Sequence, residues 1–120
     1  MTKKYVNWYR NIDEYNKLEQ YIENTFIKLL EINSINREEW IFPYFKTTYS
    51  DGTPFMDGNP IFSAKASNGK KIIKVIIDDN CHDICDFNSS FDESLLYTVI
   101  VPIKLINNID VLITNFLLSK

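Results

Sequence analysis

Apolar residues recur every three or four positions between residues 12 and 32: Tyr15, Leu18, Ile22, Phe26, Leu29 and Leu30. At 3.6 residues per turn they share one face, while Glu14, Lys17, Glu19, Glu23, Lys28 and Glu31 fill the others. This pattern predicts an amphipathic helix. Asn11 suits its N-cap, and Asp13 and Glu14 favour the positive end of the dipole. Further on, Asn36 followed by Glu39 has the spacing of a capping arrangement, which predicts one short turn over Asn36–Trp40.

The pattern then changes period. Ile41–Tyr49 is rich in aromatic and β-branched residues and predicts a strand, with Pro43 placing it at an edge or a bulge. Ser50–Pro60 holds two Asp-Gly pairs and two prolines, so it predicts a loop. Ile61–Ser67 and Lys70–Asp78 flank Asn68-Gly69, the strongest short-range signal for a type I′ hairpin. A two-residue turn sets the register: Ser67 opposite Lys70, Ala64 opposite Ile73, Phe62 opposite Val75. Phe62, Ala64, Ile73, Val75 and Ile77 then share the face that meets a helix.

Asn80–Asp92 is polar and acidic and reads as a loop. Leu95–Ile103 is strongly apolar and predicts a central strand, which Pro102 ends. Asn107 or Asn108 suits the cap of a last helix whose apolar face is Ile109, Leu112, Ile113, Phe116 and Leu117. The order is helix, four strands, helix. Short links between strands predict a four-stranded antiparallel sheet with both helices on one face, an α+β fold.

Composition agrees with that class. The chain has 120 residues, 45% of them apolar and 24% charged, as in an ordinary globular protein. One domain over residues 1–120 fits this length, without need of a disulfide or a metal to hold its core. No apolar run is long enough to span a bilayer, and Met1–Tyr15 lacks the apolar stretch of a signal peptide. The expectation is a cytoplasmic protein with Cys81 and Cys85 as free thiols. Net charge is −3, and Arg10 and Arg37 are the two arginines, so neither nucleic acid nor a membrane is an expected partner.

Candidate chemistry is sparse. Cys81, His82 and Cys85, with Asp83 or Asp86, form the set a metal ion or thiol nucleophile would use. Their spacing lacks the distant second ligand pair of a zinc site, however, and a base next in sequence is poorly placed to take a nucleophile's proton. Asp51-Gly52 and Asp57-Gly58 are turn chemistry. Between them lie Phe55 and Met56, apolar side chains that either enter the core or anchor a partner. No phosphate loop, nucleophile elbow or His-Glu-x-x-His motif is present. The expectation is a protein without a catalytic set or a cofactor.

Charge patterning is more informative. Residues 78–93 hold Asp78, Asp79, Asp83, Asp86, Asp92 and Glu93 and no lysine or arginine. That is −6 in sixteen residues, which leaves +3 on the rest of a chain that carries −3 in all. Asp78 and Asp79 close one strand, and Asp92 and Glu93 open the next, so both ends are expected to crowd at one sheet edge. Such a field attracts a basic partner and speeds its encounter.

The outline of one small acidic α+β domain, with the stretch Trp40–Asp79 centred on Asp51–Ala64, resembles small immunity proteins of bacterial polymorphic-toxin and contact-dependent growth inhibition systems. The resemblance implies a protein that binds a cognate toxin C-terminal domain, often a basic nuclease, and blocks it. The charged contacts would be the six carboxylates above, with Tyr49, Phe55 or Trp40 as aromatic anchors. Two other readings are a small metal- or thiol-dependent enzyme built on Cys81, His82 and Cys85, and a dimeric adaptor pairing through the Ile41–Tyr49 edge.

Overall fold

A computed structural model describes residues 12–45 and 60–119. Helix α1 is Ile12–Ile32, the span its periodicity predicts. Leu18, Ile22, Phe26, Leu29 and Leu30 face the core. The helix stops in a Schellman arrangement. Ser34 takes φ 57°, its N–H donates to Glu31 O, and the Ile35 N–H reaches back to Leu30 O at 2.8 Å. This pairing satisfies carbonyls that the helix end leaves open. Asn36 then caps a 3-10 turn, Arg37–Glu39, accepting from the Glu38 N–H.

Five strands form one sheet in the order β1-β2-β3-β5-β4: β1 Trp40–Ile41, β2 Phe62–Ala66, β3 Lys71–Ile77, β4 Cys85–Phe91 and β5 Ser94–Val101. The β2–β3 register places Phe62 opposite Val75 and Ala64 opposite Ile73, as the Asn-Gly pair predicts. The turn itself differs from type I′. Gly69 alone of the pair takes positive φ, 78°, its N–H donates to Ala66 O, and the Asn68 carboxamide accepts from the Lys70 N–H at 2.9 Å.

The four-stranded antiparallel sheet is corrected in three places. Of the strand expected over Ile41–Tyr49 only Ile41 is in a strand where described, together with Trp40 in β1, because Pro43 has no N–H to extend a ladder; residues 46–49 lie outside the described residues. Beyond Pro43 the chain stays beside β2, with Ser63 Oγ accepting from the Tyr44 and Phe45 N–H groups at 3.1 and 2.7 Å. Secondly, Asn80–Asp92 is not all loop, for it contains β4. Thirdly, β5 runs parallel to β3, with Lys71 opposite Leu95 and Ile77 opposite Val101. From Ile77 the chain steps over the place β5 will take, returns as the outer strand β4, and β5 then fills the gap. Strand β5 is therefore interior, and Pro102 follows its end.

After β5 a 3-10 turn, Ile103–Asn108, leads into helix α2, Ile109–Leu118. Neither asparagine caps α2 with its side chain. Asn108 stands at the N-cap without a side-chain capping bond, and Asn107 Oδ1 instead accepts from the Tyr21 hydroxyl of α1 at 2.7 Å. Ile109, Ile113, Phe116 and Leu117 are buried against Phe62, Ala64, Ile73, Val75 and Ile77 in one core cluster. Lys71 on β3 closes the far end of α2, its ammonium donating to Phe116 O at 3.0 Å and to Ser119 O. A cation there offsets the negative end of the helix dipole.

The opposite sheet face is also covered at its centre, where Ile72, Leu96 and Thr98 are buried. Thr98, 1% exposed, leaves its hydroxyl without a hydrogen-bond partner among the described residues. An unpaired buried hydroxyl costs about 1–3 kcal/mol. Thr98→Val keeps the branched shape and removes that cost, so a rise in unfolding free energy of roughly 1 kcal/mol is expected in urea titration. A fall of that size would mean the hydroxyl is satisfied.

Candidate functional site

The outer strand β4 is the most open element of the sheet. All seven of its residues are exposed, and it pairs with β5 one-to-one from Cys85–Ile100 to Phe91–Ser94 without a bulge. It carries one charge, Asp86, and no lysine or proline. Proteins usually blunt an edge with such residues, because its outward N–H and C=O groups otherwise invite another strand.

The two faces of β4 differ. Away from the helices stand Phe87 and Phe91, 50% and 38% exposed. Phe91 meets Phe45 edge-on at 5.5 Å. On the helix side Asp86 and Asn88 sit opposite Val99 and Tyr97. There a cavity of about 290 Å³ opens between β4, β5 and α2, lined by Asp86, Asn88, Leu95, Tyr97, Leu112, Asn115, Phe116 and Ser119. Tyr97 stacks on Phe116 at 5.6 Å and its hydroxyl donates to Asp86 Oδ2 at 2.6 Å.

Burial, reinforced by the bond to Asp86 and by its negative charge, pushes the Tyr97 phenol well above its ordinary value. The folded chain thus holds this proton more tightly than the unfolded chain does. The resulting stabilisation is whole below about pH 10 and is lost as pH rises past it, where the unfolded phenol ionises first. The urea midpoint of the native protein is expected to fall more steeply above pH 10 than that of Tyr97→Phe. Parallel curves would contradict this.

Of the six acidic residues only Asp86 lies on β4; the other five stand beyond its two ends and do not crowd together. Asp78, Asp79 and Asp83 stand at the end where β3 stops, and Asp92 and Glu93 form the β4–β5 turn at the other end. Strand β4 between them separates the two groups by roughly 20 Å, at about 3.4 Å per residue. Several are also structural. Asp78 accepts from the Asn80 N–H, Asp79 accepts from the Ile103 N–H at 2.8 Å, and Asp92 takes the turn's φ of 56°. Asp83 and Glu93 are exposed.

Trp40 is corrected as an anchor. At 8% exposure it belongs to the core, packed on Phe26 and Phe116 at 5.6 and 5.5 Å. Tyr49 and Phe55 lie outside the described residues. Phe87 and Phe91 are the exposed aromatic pair on β4, and the sequence reading missed them. Their i, i+4 spacing fits a strand face, but Ser89 between them breaks the apolar pattern.

Cys81, His82 and Cys85 are not assembled into a metal centre: among the described residues no three of His, Cys, Asp and Glu are placed to share an ion. Burial, then the charge and hydrogen bond of Asp78, then Cys85, raise the Cys81 thiol. A raised thiol is the protonated, weakly nucleophilic form at neutral pH.

Among the described residues no helix is long and apolar enough to cross a membrane. Compared with protein-family models, curated proteins and solved structures, the chain shows no match.

Proposed function

We propose that this chain is an immunity protein, which binds a cognate bacterial toxin domain and neutralises it through the β4 edge. The observation that carries the reading is the edge itself, seven exposed residues in unbroken register, inside a segment that bears −6 and no basic residue. Backbone groups of an open edge supply affinity to an added strand, and the carboxylates at both ends select a basic one. Nuclease domains that grip phosphates are commonly basic, so an acidic edge suits them. The same edge is a poor site for a second copy of this chain, since self-pairing would set like charges side by side.

Titration calorimetry against a toxin C-terminal domain encoded beside this chain tests the reading. One-to-one binding at nanomolar strength with loss of toxin activity is the expected result. A toxin domain that neither binds nor loses activity would overturn it.

A further inference from the structure

We infer that the cavity between β4, β5 and α2 is a receptor for an arginine side chain of a basic partner strand laid along β4. The inference rests on the docking reading above and names the group that the edge selects.

The cavity has the makings of a guanidinium site. Asp86 supplies the charge. One carboxylate oxygen is held by the Tyr97 hydroxyl at 2.6 Å, which orients the group and leaves Oδ1 without a bond among the described residues. The carboxamides of Asn88 and Asn115 line the same space, with no hydrogen bond of their own among the described residues. Their oxygens are acceptors of the kind a five-donor guanidinium needs. Tyr97 and Phe116, stacked 12° from parallel, line the same space; Lys71 already lies over the Phe116 ring at 5.3 Å, which leaves Tyr97 as the aromatic neighbour of an incoming planar cation.

Charge and size argue for arginine over other occupants. The neighbouring cation, Lys71, is committed to carbonyls of the last turn of α2 and forms no salt bridge with Asp86 among the described residues. About 290 Å³ is room for one side chain, at the low end of small-molecule pockets. The position matches as well. Asp86 and Asn88 belong to the exposed strand, so a strand added to β4 sends alternate side chains to this side of the sheet.

The first test uses this chain with short peptides, and a second uses the toxin domain. The blocked tripeptides acetyl-Val-Arg-Val-amide and acetyl-Val-citrulline-Val-amide, identical in shape but for charge, are titrated while the side-chain amides of Asn88 and Asn115 are followed by NMR. The arginine peptide is expected to shift both amides to saturation. Citrulline should bind at least about tenfold more weakly, as expected for loss of a charge-assisted hydrogen bond. Asp86→Asn, which still accepts from Tyr97, should weaken the arginine peptide by the same factor. Asn115→Arg, on the exposed side of α2, should abolish the response of the remaining reporter, the Asn88 amide, by filling the cavity. Equal response to the two peptides, shifts confined to the Asp78–Asp83 loop, or no shift would each overturn the assignment. A toxin domain that binds wild type and Asp86→Asn equally would overturn it too, while leaving the docking reading intact; failure of all toxin binding with a positive peptide result would do the reverse.

Discussion

Phe26→Ala will lower the unfolding free energy by about 3–5 kcal/mol. Phe26 is fully buried and sits at the centre of an aromatic cluster. Its ring lies 5.6 Å from Trp40, 5.3 Å from Phe42 and 5.2 Å from Phe62. It therefore ties α1 to β1, to the segment that follows β1, and to β2. Truncation removes the transfer free energy of the ring and leaves a hole that three rigid neighbours cannot all close. Domains of this size have about 5–15 kcal/mol in all, so the variant should be near its unfolding threshold. The measurement is the urea midpoint at unchanged slope. A loss below about 1 kcal/mol would mean that the aromatic cluster repacks around the gap.

The second large effect is on association. Asp83→Lys combined with Glu93→Lys takes the 78–93 segment from −6 to −2. These two positions are chosen because the structure frees them: Asp78, Asp79, Asp86 and Asp92 hold turns, the 3-10 start and Tyr97. The double variant should keep its fold, since exposed substitutions of this kind fall within about 0.5 kcal/mol. Its association rate with a basic toxin domain should drop roughly tenfold at low salt, and the two rates should converge as salt rises. Equal rates at low salt would remove electrostatic steering from the account.

How much of this was legible in the chain follows from which residues have a buried face. Helix α1 was readable end to end because Leu18, Ile22, Phe26, Leu29 and Leu30 bury a single stripe. The β2–β3 register was readable because Asn68-Gly69 admits few pairings, even though Asn68 did not take the type I′ conformation. Strand β4 was not, because none of its residues is buried. An edge strand exposed on both faces has no core to impose alternation, and Cys85–Phe91 reads like the loop before it. Missing β4 also hid the parallel β3–β5 pair, since two adjacent strands with a short polar link look antiparallel. The burial of Trp40 is hidden for a related reason: the residues that bury it, Phe26 and Phe116, are distant in sequence, and periodicity reports nothing about contacts of that range.

The candidate site was half legible. The carboxylates were visible as a run, but their separation into two groups with a strand between them depends on β4. The cavity beside Tyr97 was invisible, because it joins Asp86 and Asn88 of β4 to Asn115 and Phe116 of α2.

The central claim is that β4 is the docking edge, and amide hydrogen exchange with and without the bound toxin domain tests it most directly. Outward N–H groups of an edge strand exchange with water until a partner strand takes them. The account predicts that protection on complex formation concentrates at residues 85–91 and spares the exposed side of α1. Protection on α1, with β4 exchanging as before, would contradict it.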